Sequence, residues 1–381
     1  MNRKQFLLLV IALAILGGVG LAIFWKDVDD YRASGSKIGA KLLPGLKVAD
    51  VALIELRDAK AGVTLVRKEN HWVVQEREGY PADFKAISDL IIKLSDLKIT
   101  QADSVGESLL PRVELVVPGK GDGSGTLVEL KDAAGKTLQS VVLGRTVLKK
   151  DPGNPLPAAA DGVPAGRYVR VLSGKEQVVV VSDPLTNAAA QPGRWLDKDF
   201  AKIERVKTLT VSGENGWKIT RDLEWGQWKF AGGGGDLDAS AAVGAVNGLG
   251  QLSFNDVVPA KPEDEGGVTT VIAETFDNLT YTLKFAKRKA GPDYLVNVSA
   301  AGEPPAAREI EKGDKEKPED KERRDKDYAE SRKRLELRVA RDKARSAWNY
   351  VVEAKQIEPF LKSRAQMIAQ RKPPPDDPRK R

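Results

Sequence analysis

His71 is the sole histidine in a chain of 381 residues that contains no cysteine, so any chemistry that needs an imidazole would have to begin there. It falls on a predicted strand beside Trp72, and neither serine nor cysteine sits in a recognisable nucleophile motif, which leaves no basis for a catalytic triad. One imidazole without thiolates cannot complete the nitrogen and sulfur set that zinc takes. The glycine run 232–235, ahead of a helix starting at Asp238, has the outline of a phosphate cradle, but no Lys-Ser or Lys-Thr pair follows it. It reads as a flexible strand-to-helix loop. Asp122, Gly123 and Ser124 lack the spaced acids and closing glutamate of a calcium loop and read as a hairpin tip. Asp29 with Asp30 and Asp376 with Asp377 lie in linker and tail segments, where nothing would desolvate them for acid–base work. Trp217, Trp225 and Trp228 gather near one predicted turn and read as core aromatics, with a stacking surface as the alternative. No catalytic, cofactor-binding or metal-binding residue is assigned, no cofactor is expected, and an enzyme is not indicated.

The elements that would have to position such residues repeat. Lys47, Val48, Val51, Ile54 and Leu56 recur as Lys202, Ile203, Val206, Leu209 and Val211 at a constant offset of 155 positions, as from Val51 to Val206. Asp83, Ala86, Leu94 and Leu97 return in the same register as Asp238, Ala241, Leu249 and Leu252, while Gly62, Arg67 and Trp72 are echoed by Gly216, Arg221 and Trp228 with small shifts. In the first copy strands are predicted at 48–56, 63–67 and 71–75, then a helix capped by Asp83 with apolar positions Phe84, Ile87, Leu90, Ile91, Leu94 and Leu97. Hairpins follow at 126–130 with 137–143 and at 168–172 with 177–181. The second copy gives strands at 206–211, 217–221 and 227–230, a helix from Asp238, then strands at 270–275, 280–285, 294–299 and 348–352. Between its last two strands lies a charged insertion, 303–347, where Glu319 with Arg323, Glu322 with Lys326 and Glu330 with Arg334 have the acid-first i, i+4 order of a solvated helix. That arm is either simply solvated or a docking element.

Ahead of both copies, Arg3 and Lys4 precede an apolar run at 6–25 without a charged residue. Twenty such residues at about 1.5 Å each cross a hydrocarbon core of about 30 Å. Its basic start and the acidic residues after Trp25 orient the N-terminus to the cytoplasm and the remainder outside; the alternative is a cleaved signal peptide, for which Gly20 and Ala22 offer a small-x-small site. Net charge is +7, from 61 basic and 54 acidic residues, so both signs are interspersed and a nucleic-acid partner is not expected. The expected fold is α+β: an N-terminal transmembrane helix followed by two tandem, duplicated β-rich modules, each of antiparallel strands plus one packing helix, with the charged helical insertion in the second. The expected boundaries are an anchor at 1–25, a linker at 26–46, modules at 47–200 and 201–361, and a basic, proline-rich disordered tail at 362–381.

The stretch Lys-Val-Ala-Asp-Val-Ala-Leu-Ile-Glu-Leu at 47–56, the segment 62–74 ending in Trp-Val-Val, the Asp83 helix and the connector Arg-Trp-Leu-Asp-Lys-Asp-Phe at 194–200 together resemble the domain of unknown function 4340 family. The resemblance covers most of 47–361, and the charged insertion departs from that family's compact pattern. It implies a protein of the bacterial inner (cytoplasmic) membrane, single-pass through 6–25, with its bulk periplasmic or otherwise extracytoplasmic. The implied role is a non-enzymatic accessory subunit of an ABC-type export or envelope-transport complex, with the permease and auxiliary envelope proteins as partners. The alternative is an envelope scaffold that binds anionic polymer or lipid without a transporter. The sequence does not indicate a small-molecule ligand.

Overall fold

Ile54 and Leu56 alternate with the more exposed Leu53, Glu55 and Arg57, and the same period of two in the next segment places Val63 and Leu65 on the covered side. That alternation seeds a sheet with one face turned to a core. The structure, a computed structural model, describes residues 38–369 except 70, 103–104, 150–161, 175, 214–215, 262–267, 290 and 309–316. The chain divides into two compact units, Met1–Asp197 and Lys198–Arg381.

In the first unit the strands are β1 (Leu53–Arg57), β2 (Gly62–Lys68), β3 (His71–Val74), β4 (Tyr80–Pro81), β5 (Ile99–Ala102), β6 (Thr126–Lys131), β7 (Thr137–Lys149), β8 (Val163–Val171) and β9 (Gln177–Val181). They form one sheet in the order β4-β3-β2-β1-β6-β7-β8-β9-β5, and its pairings are antiparallel. Helix α1 (Phe84–Asp96) links β4 to β5 and buries Ile87, Leu90, Ile91 and Leu94. Asp83 caps it, accepting a hydrogen bond from the Ala86 N–H at 3.0 Å.

The second unit contains β10 (Val206–Ser212), β11 (Trp217–Thr220), β12 (Lys229–Phe230), helix α2 (Ala239–Gln251), β13 (Asp256–Pro259), β14 (Thr269–Thr275), β15 (Leu279–Lys287), β16 (Tyr294–Gly302), helix α3 (Pro318–Arg345), β17 (Trp348–Val352) and helix α4 (Ala354–Leu361). Its sheet order is β12-β11-β10-β14-β15-β16-β17-β13. Element for element this is the order of the first sheet without its short outer strand, and the isolated bridges Ala82–Leu196 and Leu237–Ile368 fall at matching places in the two units. Both units also close alike. The Asp83 N–H donates to the Trp195 carbonyl at 2.7 Å and the Asp238 N–H to the Met367 carbonyl at 2.9 Å, so each unit's last turn returns to the cap of its helix.

Several expectations are corrected. The architecture is an α+β, β-rich fold on two large sheets, rather than an anchor followed by small meanders and separate hairpins. Strands β5 and β13, which follow the helices, pair with β9 and β17 and draw each unit's strands into a single sheet. The expected membrane helix at 6–25 lies outside the described residues, and no helix among the described residues is long and apolar enough to cross a membrane. The longest, α3, has 28 residues and is charged along most of its length. The single-pass anchor and the inner-membrane, extracytoplasmic placement that depended on it are therefore withdrawn. The first strand begins later than expected, because Val48–Asp50 forms a 3-10 turn. Residues 362–369, expected to open a disordered tail, belong to the second unit: Met367 is buried, and the Lys362 carbonyl accepts from the Trp217 indole N–H at 2.9 Å. Residues 370–381 lie outside the described residues.

Candidate functional site

The specialised surface lies in the second unit, where a turn between β11 and β12 lifts Leu223 and Trp225 into solvent at 73% and 93% exposure. An indole so exposed covers no core, and its turn is nonetheless held firmly. Arg221 donates from Nε to the Val206 carbonyl at 2.8 Å and from Nη1 to the Glu224 carbonyl, and its guanidinium lies 4.7 Å from the Trp228 ring and 5.5 Å from the Phe276 ring. Arg205 then grips the Glu224 carboxylate with two parallel hydrogen bonds of 2.9 Å and pairs with Asp277 on the far side. Hydrogen bonding to Arg205 holds the Glu224 carboxyl below the ordinary carboxylate range, and the same contact raises Arg205. At Asp277 burial outweighs the pull of Arg205, and its carboxyl is raised. Beside this frame opens a groove of about 470 Å³, walled by Val206, Trp225 and Trp228 on the sheet side and by Val243, Val246 and Gly250 of α2.

A second cleft, of about 290 Å³, begins at the same Arg205 and runs beneath α3. Its floor is Thr275, Leu279 and Tyr281; α3 supplies Tyr328, Arg332, Arg334 and Arg338. The helix is held over it by its C-terminal half. Val339, Asp342 and Arg345 are buried, α3 packs against β16, Arg341 pairs with Asp199, and Arg345 donates to the Asp199 carbonyl. Burial raises the Asp342 carboxyl in spite of Arg341 beside it. Tyr281 is only 2% exposed, and burial pushes its hydroxyl up to about 12, so it stays protonated and able to donate.

The residues singled out in the sequence come to lie elsewhere. His71 is exposed on β3 opposite Lys68, and no catalytic partner joins it among the described residues. The glycine run is no phosphate cradle, because its carbonyls face a cation: Arg364 donates to the Gly233 carbonyl at 2.6 Å and to that of Gly234 at 3.2 Å while stacking 4.2 Å from the Phe230 ring. Gly232 to Gly235 all have positive φ, and a Cβ on Gly234 would come within 2.7 Å of that guanidinium. Gly123 is pressed on the Pro111 backbone, and its loop is closed by a parallel bridge between Val116 and Ser124 rather than forming the expected hairpin tip. The aspartate pairs at 29–30 and 376–377 lie outside the described residues. Trp217 is buried as expected of a core aromatic, whereas Trp225 is not. No group of three or more potential metal ligands occurs among the described residues. No motif marks Arg205, Glu224, Asp277 or Tyr281 in the sequence; the three charged residues meet because the start of β10, the β11–β12 turn and the β14–β15 turn converge.

No family model matches this chain, no curated protein matches it, and no solved structure matches it.

Proposed function

We propose that this chain is a non-enzymatic binding and assembly protein, acting as an accessory subunit of an ABC-type transport complex. The observation that carries the binding reading is the Leu223–Trp225 turn, where a solvated indole is presented on a rigid charge-and-ring frame beside a groove of mixed apolar and polar lining. Burying a large aromatic on a partner releases far more apolar surface than it costs in side-chain entropy, because tryptophan has only two rotatable bonds to fix. The frame made by Arg205, Glu224 and Arg221 supports this role by pre-ordering the turn, which lowers the cost of association. The transporter assignment rests on the resemblance carried by 47–56 and 194–200, and a partner of that kind is what the experiment seeks.

The test is affinity capture of the full chain from its native host, comparing the natural sequence with Trp225→Ser and with the distant surface variant Lys120→Glu. Trp225→Ser is expected to leave stability within about 0.5 kcal/mol, as for other exposed positions, and to lose a multi-span permease and its ATPase from the captured material. Equal recovery of those subunits with both variants overturns the docking role of the turn, and their absence from the natural chain's capture overturns the transporter assignment.

A further inference from the structure

The cleft beneath α3 is lined by five cationic side chains, Lys202, Arg205, Arg332, Arg334 and Arg338, against two carboxylates, Glu204 and Asp277. Both carboxylates are already engaged, Asp277 by Arg205 and Glu204 by Arg338 at 3.7 Å, and Arg332 turns to Glu336 at 3.0 Å. Lys202 and Arg334 have no ion pair among the described residues. Uncompensated cations are ordinary on an open surface, but these border a concave space whose low-dielectric walls strengthen their field. A second observation points the same way. Tyr281 lies on the floor, almost wholly buried, and no hydrogen bond of its hydroxyl is found among the described residues. The hydroxyl itself keeps contact with the cleft, so it is open to donate to an anion seated there. The volume of about 290 Å³ is at the small end of ligand pockets.

We propose that the cleft between α3 and the β14–β15 end of the second sheet binds a small phosphate-bearing ligand, with Lys202 and Arg334 closing on the anion from opposite walls and the Tyr281 hydroxyl donating from the floor. A phosphoryl group suits this arrangement because it offers several acceptor oxygens and more than one negative charge, whereas a single carboxylate would leave one wall unmatched. The site does not depend on the Trp225 surface: it names different donors and a different ligand class. The free source of such a group is a soluble phosphate compound; the bound source is a phospholipid headgroup.

The experiment titrates the full chain with sodium pyrophosphate by calorimetry at fixed ionic strength, and in parallel measures co-sedimentation with phosphatidylcholine vesicles carrying phosphatidic acid. The natural chain is expected to bind saturably in one arm. In that arm Lys202→Glu with Arg334→Glu weakens binding by more than tenfold, Tyr281→Phe weakens it by about tenfold with the melting temperature little changed, and Lys120→Glu leaves it intact. Saturable pyrophosphate binding with this pattern supports the site and identifies a soluble ligand; the same pattern with vesicles alone supports it and identifies a headgroup. Absence of saturable binding in both arms overturns the proposal, as does weakening by Lys120→Glu equal to that of the cleft variants. Loss of permease capture leaves these readouts untouched, so failure of the assembly reading and failure of the phosphate site are distinguishable.

Discussion

At the scale of single residues, the decisive features are caps and close approaches. Asp238 accepts hydrogen bonds from the Ser240 and Ala241 N–H groups at 2.8 and 3.0 Å, and bonding by the Ser240 side chain first, then the Ala241 backbone, lowers its carboxyl below the ordinary aspartate value. Because the folded-state value lies below the unfolded one, this contribution is present above the unfolded value near 3.8 and is lost as pH falls through the folded value. Asp238→Asn, which still caps, is expected to flatten that part of the acid limb; urea midpoints measured from pH 5 down to pH 2.5 check it. Gly125 makes the second residue-scale case. A Cβ there would run into the carbonyl oxygens of Glu114 and Leu143, whereas one on Gly62 would meet nothing nearer than 3.7 Å. Gly125→Ala is therefore expected to cost roughly 1–3 kcal/mol, as other overpacked sites do, and Gly62→Ala less than about 0.5 kcal/mol, read as shifts in denaturant midpoint.

At the scale of elements, what could be read depended on local pattern. The helices α1 and α2 were legible because Asp83 and Asp238 cap them and their apolar residues recur every three or four positions, and β9 and β17 were placed at their observed residues because β-branched and aromatic side chains dominate both. Strands β5 and β13 were not legible: Ile99–Ala102 and Asp256–Pro259 are short, carry few apolar residues, and are strands only because a distant edge offers them hydrogen bonds. Phe84 shows the converse, since its helical spacing marked it for the core yet it is largely exposed at the first turn. Charge pattern revealed α3 as a helix but not that its C-terminal half docks, because Val339 is the one buried apolar side chain of the helix and lies among arginines whose partners are far away in the chain. Val339 and Leu337 point to opposite sides of α3, one buried and one exposed. Val339→Asp is expected to lower the melting temperature of the second unit, and Leu337→Asp to leave it nearly unchanged; a freely solvated arm would respond to neither.

At the scale of the whole molecule, each unit contains its own sheet, helix and closing turn. Segments 38–197 and 198–369, expressed separately, are each expected to melt cooperatively with strand-rich far-ultraviolet dichroism; a non-cooperative melt for either would show that it lacks a sufficient core. The site proposals both fall in the second unit because only there did the shared framework acquire the β11–β12 turn with Trp225 and the inserted helix. The repeat itself was readable from the sequence, while the meeting of Arg205, Glu224 and Asp277 was not, since no fixed spacing encodes a contact among three separate turns.

The position of α3 in the chain also bears on how the protein is made. In the first unit β8 and its partner β9 are separated by a short turn, but in the second β16 must wait for residues 303–347 to leave the ribosome before β17 arrives. During that interval β16 is a bare edge, the kind of surface on which nascent chains pair with one another. Translation slowed within that stretch should lengthen the exposure, and so the yield of native protein should depend more on chaperone supply and synthesis rate for this half than for the other.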